Sequence, residues 1–110
     1  MDIEQFRNYC LSFDDVTEEF PFGPDTLVYK VKGKLFALTG LAEFTSINLK
    51  CDPELAVELR ERHAAVLPGY HMNKAHWNTV LMDNSISDRL IREWIDNSYQ
   101  LVRSKTGKKK

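Results

Sequence analysis

Two runs of alternating side chains, 26–32 and 34–39, meet at Lys32-Gly33 with almost nothing between them. So short a link permits only an antiparallel hairpin, since a parallel pair needs a crossover of a dozen residues or more. In the first run Leu27, Tyr29 and Val31 alternate with Val28, Lys30 and Lys32. One face is therefore more apolar and the other carries lysines, the pattern of a sheet wet on one side. A third run, 44–50, sets Ile47 and Leu49 opposite Ser46, Asn48 and Lys50. Shorter alternations at 16–20 and 77–82 complete five expected strands.

Helical periodicity brackets these runs. Ile3, Phe6, Cys10 and Phe13 recur at spacings of three and four, which predicts a helix over 3–12 with Asp2 as its cap. Asp52-Pro53-Glu54 places a capping carboxylate, a proline at the first helical position and an acid in the first turn. That helix, 53–63, turns Leu55, Ala56 and Leu59 inward and ends before Pro68-Gly69. Ser85 or Ser87 opens the last helix, 87–103, whose stripe runs through Leu90, Ile91, Trp94, Ile95, Ser98, Leu101 and Val102. The expected fold is α+β: one domain over 1–104, an antiparallel sheet packed against helices, then a basic flexible tail at 105–110.

Composition narrows the function classes. With 110 residues and 43% hydrophobic content the chain can build one core without staples. No apolar run reaches the ~20 residues of a membrane span. Two cysteines, Cys10 and Cys51, make no disulfide framework, and Met1-Asp2-Ile3-Glu4 lacks the layout of a signal peptide. A reduced, cytoplasmic protein is expected. The net charge of −1 argues against indiscriminate polyanion binding, yet residues 1–29 hold seven acids against one base while residues 30–50 hold four lysines against one acid. That asymmetry permits a basic face.

The chemistry-bearing residues concentrate in Pro68-Gly69-Tyr70-His71-Met72-Asn73-Lys74-Ala75-His76-Trp77. His71 and His76, five apart, share neither a helical nor a strand face, and no acid lies between them, so no metal is expected there. Cys51 precedes a helix N-terminus, which lowers a thiol pKa, but a small buried cysteine is the commoner outcome. The chain has no phosphate-cradling glycine loop, nucleophile elbow or dinucleotide fingerprint, so no enzyme activity and no cofactor are expected. Lys30, Lys32, Lys34, Lys50 and Lys74 beside His71, His76 and Trp77 interleave cations with rings, as nucleic-acid surfaces do. On residues alone, a solvated sheet face whose lysines discourage edge pairing is the simpler reading. Trp94 belongs to packing, and Trp77 is left open between core and surface.

Five words carry a family resemblance: Phe20-Pro21-Phe22-Gly23, Val31-Lys32-Gly33-Lys34-Leu35-Phe36-Ala37, Asn48-Leu49-Lys50-Cys51-Asp52-Pro53-Glu54, the 68–77 loop quoted above, and Ser98-Tyr99-Gln100-Leu101-Val102. They occur in order over nearly the whole chain except its tail, and with them the chain resembles the MmcQ/YjbR family. The resemblance implies a CyaY/frataxin-like fold and a double-wing DNA-binding role. It also raises iron binding by an acidic ridge, matched in place by Asp14, Asp15, Glu18 and Glu19. DNA is therefore the expected partner of a monomer with no membrane contact, through Lys30, Lys32, Lys34, Lys50, His71, Lys74, His76 and Trp77. Two alternatives stand beside it: a non-enzymatic ligand- or protein-binding domain with the loop from Tyr70 to Trp77 as pocket wall, and metal handling by the acidic segment from Asp14 to Glu19.

Overall fold

Each helix begins where the sequence supplies an acceptor for its orphan amides. In a computed structural model, which describes residues 1–69 and 72–107 with side chains to residue 104, the Asp2 carboxylate accepts from the Gln5 amide at 2.8 Å. Gln5 returns the bond to the Asp2 amide at 2.9 Å, so helix α1 (Ile3–Leu11) starts in a reciprocal capping box. Asp52 accepts from the amides of Glu54 and Leu55 at the head of helix α2 (Pro53–Arg62). Of the two serines considered for the last helix, Ser87 is the acceptor, taking the Leu90 amide at 3.2 Å at the head of α3 (Asp88–Gly107). This helix continues through Gly107, into the segment expected as a tail.

Among the described residues, six strands form one antiparallel sheet in the order β1-β2-β3-β4-β6-β5. They are β1 (Val16–Glu19), β2 (Thr26–Val31), β3 (Lys34–Gly40), β4 (Ser46–Lys50), β5 (Val66–Pro68) and β6 (Trp77–Leu81). Lys32 and Gly33 both take positive φ, 52° and 84°, so the β2–β3 link is the tight hairpin its length demanded. β5 was not foreseen. Three residues ending in proline give too short an alternation to register, and proline is tolerated because β5 is an edge strand. β4 starts at Ser46, two residues later than expected; Phe44 instead packs its ring toward Phe6 at 5.7 Å.

All three helices cover one face. Register puts Tyr29, Val31, Ala37, Ile47, Leu49 and Val80 on that side, each 3% exposed or less. One residue breaks strict alternation to reach it. Tyr29 pairs with Ala37 but Lys30 pairs with Leu35, so Phe36 is the extra residue of a β-bulge. The bulge turns Phe36 inward, fully buried against Phe13 and Tyr99, and leaves the half-buried Leu35 on the opposite face. Tyr99 also stacks on Phe13 at 4.2 Å and donates its hydroxyl to the Asp14 carbonyl, clamping α3 to the α1–β1 turn. Trp94 is 6% exposed, as its stripe implied, whereas Leu59, expected in the core, is only half-buried.

One ion pair crosses three elements. Arg7 of α1 binds Glu18 of β1 through Nε at 2.8 Å and Nη2 at 3.0 Å, and the Tyr29 hydroxyl of β2 donates to the same carboxylate at 2.7 Å. The bond from Arg7, and then that from Tyr29, hold the Glu18 carboxyl below the usual range against the opposing pull of burial.

Two predictions follow from this packing. Phe36→Ala costs about 3–5 kcal/mol in chemical denaturation, and Leu35→Ala under about 2, although the two are adjacent apolar residues of one strand. Equal costs would contradict the bulge. Because the folded-state pKa of Glu18 is depressed, its contribution is fully present above the unfolded-state value of about 4.3 and is lost as pH falls through the folded value. Urea unfolding across the acid range should therefore show the wild type losing more stability than Glu18→Gln; parallel pH curves would contradict the clamp.

Candidate functional site

Strand register gathers the candidate lysines. Lys34 pairs with Val31, Lys50 pairs with Trp77, and the Gly69 amide bonds the Trp77 carbonyl at 2.9 Å. The β2–β3 turn, the end of β4, the start of β6 and the end of β5 therefore lie at one end of the sheet. Lys32 and Lys34 are exposed at the turn. Lys30 and Lys50 stand on the face that no helix covers, and Lys74, exposed, donates to the Gly69 carbonyl at 3.2 Å. Five lysines from three separate segments thus share one end of the sheet, Lys30 and Lys50 on its open face and Lys34, paired with the inward Val31, on the other side.

Acids come with them, although the charge asymmetry along the chain permitted a purely basic face. Glu19 lies on the same open face and binds Lys30 at 3.1 Å, with its carboxyl held low by the Thr17 hydroxyl and then by Lys30. The Asp15 carbonyl accepts the Lys32 amide, which brings the Asp14-Asp15 turn beside the basic hairpin. Glu18 and Glu19 are thereby committed to Arg7 and Lys30, which leaves the acidic segment few free ligands for a cation. Among the described residues, no group of three or more histidines, cysteines and acids is placed to hold a metal.

The open face is not bare. Met72, from the segment after β5, packs with Leu35 against Val28, Leu38 and Trp77. Trp77 is only 5% exposed, with the Lys50 ammonium 5.4 Å from its ring centroid. Its ring is thus packed between strand and loop and presents no free face to a base. Gly69 is required for this closure: a Cβ there would stand 2.7 Å from the Trp77 Cβ. His76 is half-buried, its carbonyl accepting the Cys51 amide, while Tyr70 and His71 lie outside the described residues.

On the helix-covered face the sheet carries a cavity of about 390 Å³ between α2 and α3. Leu49, Val80 and Trp94 line it from the sheet and α3, Leu55 and Leu59 from α2, and Leu101 from further along α3. None of the described residues of the 70–77 loop, the expected pocket wall of the alternative reading, lines this space, and Met72 sits on the other face. Asn78, 2% exposed, reaches the cavity from β6. Its Oδ1 accepts from Arg60 Nε at 2.7 Å and its Nδ2 donates to the Ala56 carbonyl at 3.3 Å. Arg60 Nη2 also donates to the Lys74 carbonyl, so one guanidinium joins the cavity wall to the loop. Cys51 lies at the rim with its thiol pushed up to about 11, by burial first and by Asp52 second, and so stays protonated at neutral pH. Burial outweighs the helix terminus. No sequence signal announced this cavity, because its walls come from helices separated by a strand pair.

Comparisons with known proteins fit this architecture. The chain matches the YjbR family model over residues 11–101. It is 40% identical over 100 residues to YbdF of Escherichia coli O157:H7, covering 90% of this chain and 82% of that protein. It is 37% identical to YjbR of Escherichia coli K12 over 101 residues, covering 91% and 86% of the two chains, and 34% identical to YyaQ of Bacillus subtilis over 100 residues, covering 91% and 80%. The crystal structure of Deinococcus radiodurans protein DR2400, with the family-model domain DUF419, superposes with a TM-score of 0.90 at 38% identity, covering 98% of this chain and 82% of that one. A Pseudomonas syringae crystal structure gives a TM-score of 0.78 at 32% identity, covering 94% of this chain and all of that one. With the five sequence words, the fold and the matched residues in agreement, the chain belongs to the YjbR family.

Proposed function

We propose that this protein is a non-enzymatic, cytoplasmic, monomeric DNA-binding module that grips the phosphate backbone with the lysine-bearing end of its sheet. The observation that carries the reading is the convergence of Lys30, Lys32, Lys34, Lys50 and Lys74 from three segments onto that end. The family resemblance, with its double-wing expectation, adds support. Among the described residues no helix is long and apolar enough to cross a membrane, which fits a protein working away from the bilayer.

The geometry also shapes what kind of binding is proposed. Trp77 is packed and offers no stacking platform, so single strands gain nothing over duplexes. Among the described residues no helix stands on the sheet's open face, so the contacts fall on phosphates, which position a protein without reading sequence. Glu19 offsets Lys30. Binding is thus weak, insensitive to sequence and governed by counterion release.

Fluorescence anisotropy with a labelled duplex across a salt series tests this. Four effective lysines give a slope of log K against log salt of about −4. Lys32→Gln with Lys34→Gln, at exposed hairpin positions, flattens it by about two units and weakens all sequences alike. Absence of binding at low salt, or an unchanged slope in the double variant, would contradict the proposal.

A further inference from the structure

The lysine face leaves the cavity between α2 and α3 without a role. We propose that this cavity is a second, independent binding site, for an uncharged small molecule with a compact apolar body and one hydrogen-bonding group. Its volume of about 390 Å³ falls in the range of small-molecule sites, typically ~300–1,000 Å³; four leucines, Val80 and the Trp94 ring supply its apolar surface, and Asn97, Gln100 and Ser104 add polar groups from α3. Two buried polar side chains converge on it with capacity to spare. Asn78 spends one Nδ2 proton on the Ala56 carbonyl, leaving the second for an acceptor on the ligand. The Arg60 bond to Oδ1 fixes which way the amide points. Ser98, 3% exposed, has its one hydroxyl proton directed at the Lys50 carbonyl at 2.6 Å, with the Trp94 carbonyl at 3.0 Å as the second acceptor, so its oxygen lone pairs remain to receive a donor.

Charge selects against ions. The Lys50 ammonium lies over Trp77 on the opposite face, and the Arg60 guanidinium is turned to Asn78 and the Lys74 carbonyl. Asp52, on the rim, is engaged by the first amides of α2, and the Cys51 thiol beside it is neutral. A carboxylate in this groove would lose its hydration with Arg60 already committed to Asn78 and the Lys74 carbonyl, and an ammonium would lose its hydration with the Asp52 carboxylate already committed to the first amides of α2. A neutral amide or alcohol forfeits far less.

Three matched probes test this: 2-naphthamide, 2-naphthoate and 2-naphthylmethylamine, followed by amide chemical-shift mapping on the wild-type protein. The naphthamide is expected to saturate at about 1 mM or tighter, from the affinity per atom of an ordinary small ligand. Its shifts should centre on Cys51, Leu55, Asn78, Ser98 and Leu101, and the binding should not change across the salt series that weakens DNA. The two charged probes should bind at least about tenfold more weakly, roughly the effect of one uncompensated polar group. Leu55→Trp and Leu101→Trp fill the groove from its two walls at half-buried positions, and each should abolish naphthamide binding with the far-UV spectrum unchanged. If either variant fails to fold, the wild-type map and the probe ranking still decide. No saturable naphthamide shift, shifts centred elsewhere, a charged probe binding as well, or full binding in a folded Trp variant would each overturn the assignment.

Discussion

The buried Asn78 amide joins three parts of the molecule that apolar packing alone would leave independent. Its backbone belongs to β6, paired with β4 on one side and β5 on the other. Its side-chain nitrogen holds the Ala56 carbonyl of α2, and its oxygen holds Arg60, which in turn grips the Lys74 carbonyl. A buried amide left unpaired costs about 1–3 kcal/mol, so sheet, helix and loop must close together or all pay. The spacing of α2 from α3, and with it the groove, follows from where this amide anchors α2.

The second organising constraint is that the three described helices lie on one face. The aromatic cluster of Phe13, Phe36 and Tyr99 fixes α3 there, and the Arg7–Glu18–Tyr29 clamp fixes α1. The other face is therefore free to carry lysines, but a sheet face with Val28 and Leu38 on it cannot stay fully wet. Met72 and Trp77 cover those residues, and the cations are displaced to the sheet's end and rim. Division of labour between the two faces is thus a packing outcome as much as a charge pattern.

Much of this was legible in the chain because it is encoded locally. Alternation gave five of the strands, β5 excepted, Pro53 after Asp52 gave the start of α2, and the stripe through Trp94 gave α3 and its buried side. What escaped is what depends on partners distant in sequence. β5 is three residues long and exists only because β6 is there to pair with it. The bulge at Phe36 depends on which of two adjacent apolar residues the helix layer accepts. Trp77 stayed undecided between core and surface because the Met72 contact that buries it comes from a turn whose direction no local rule sets. Charge segregation, read from segment totals, failed at Glu19 and Asp15 because antiparallel pairing lays an acidic strand beside a basic one. The cavity is a volume left between two helices, and periodicity describes faces, never gaps.

The central claim is that Asn78 and Arg60 make the groove and the basic loop one connected body. Amide hydrogen exchange on Arg60→Met, compared with wild type, measures it most directly. The account predicts faster exchange in two places at once: at Ala75 and His76 in the loop, and at Ala56 near the start of α2, whose amide bonds the Asp52 carbonyl. Acceleration confined to the loop, with Ala56 unchanged, would show that the two regions are held separately and would contradict the claim.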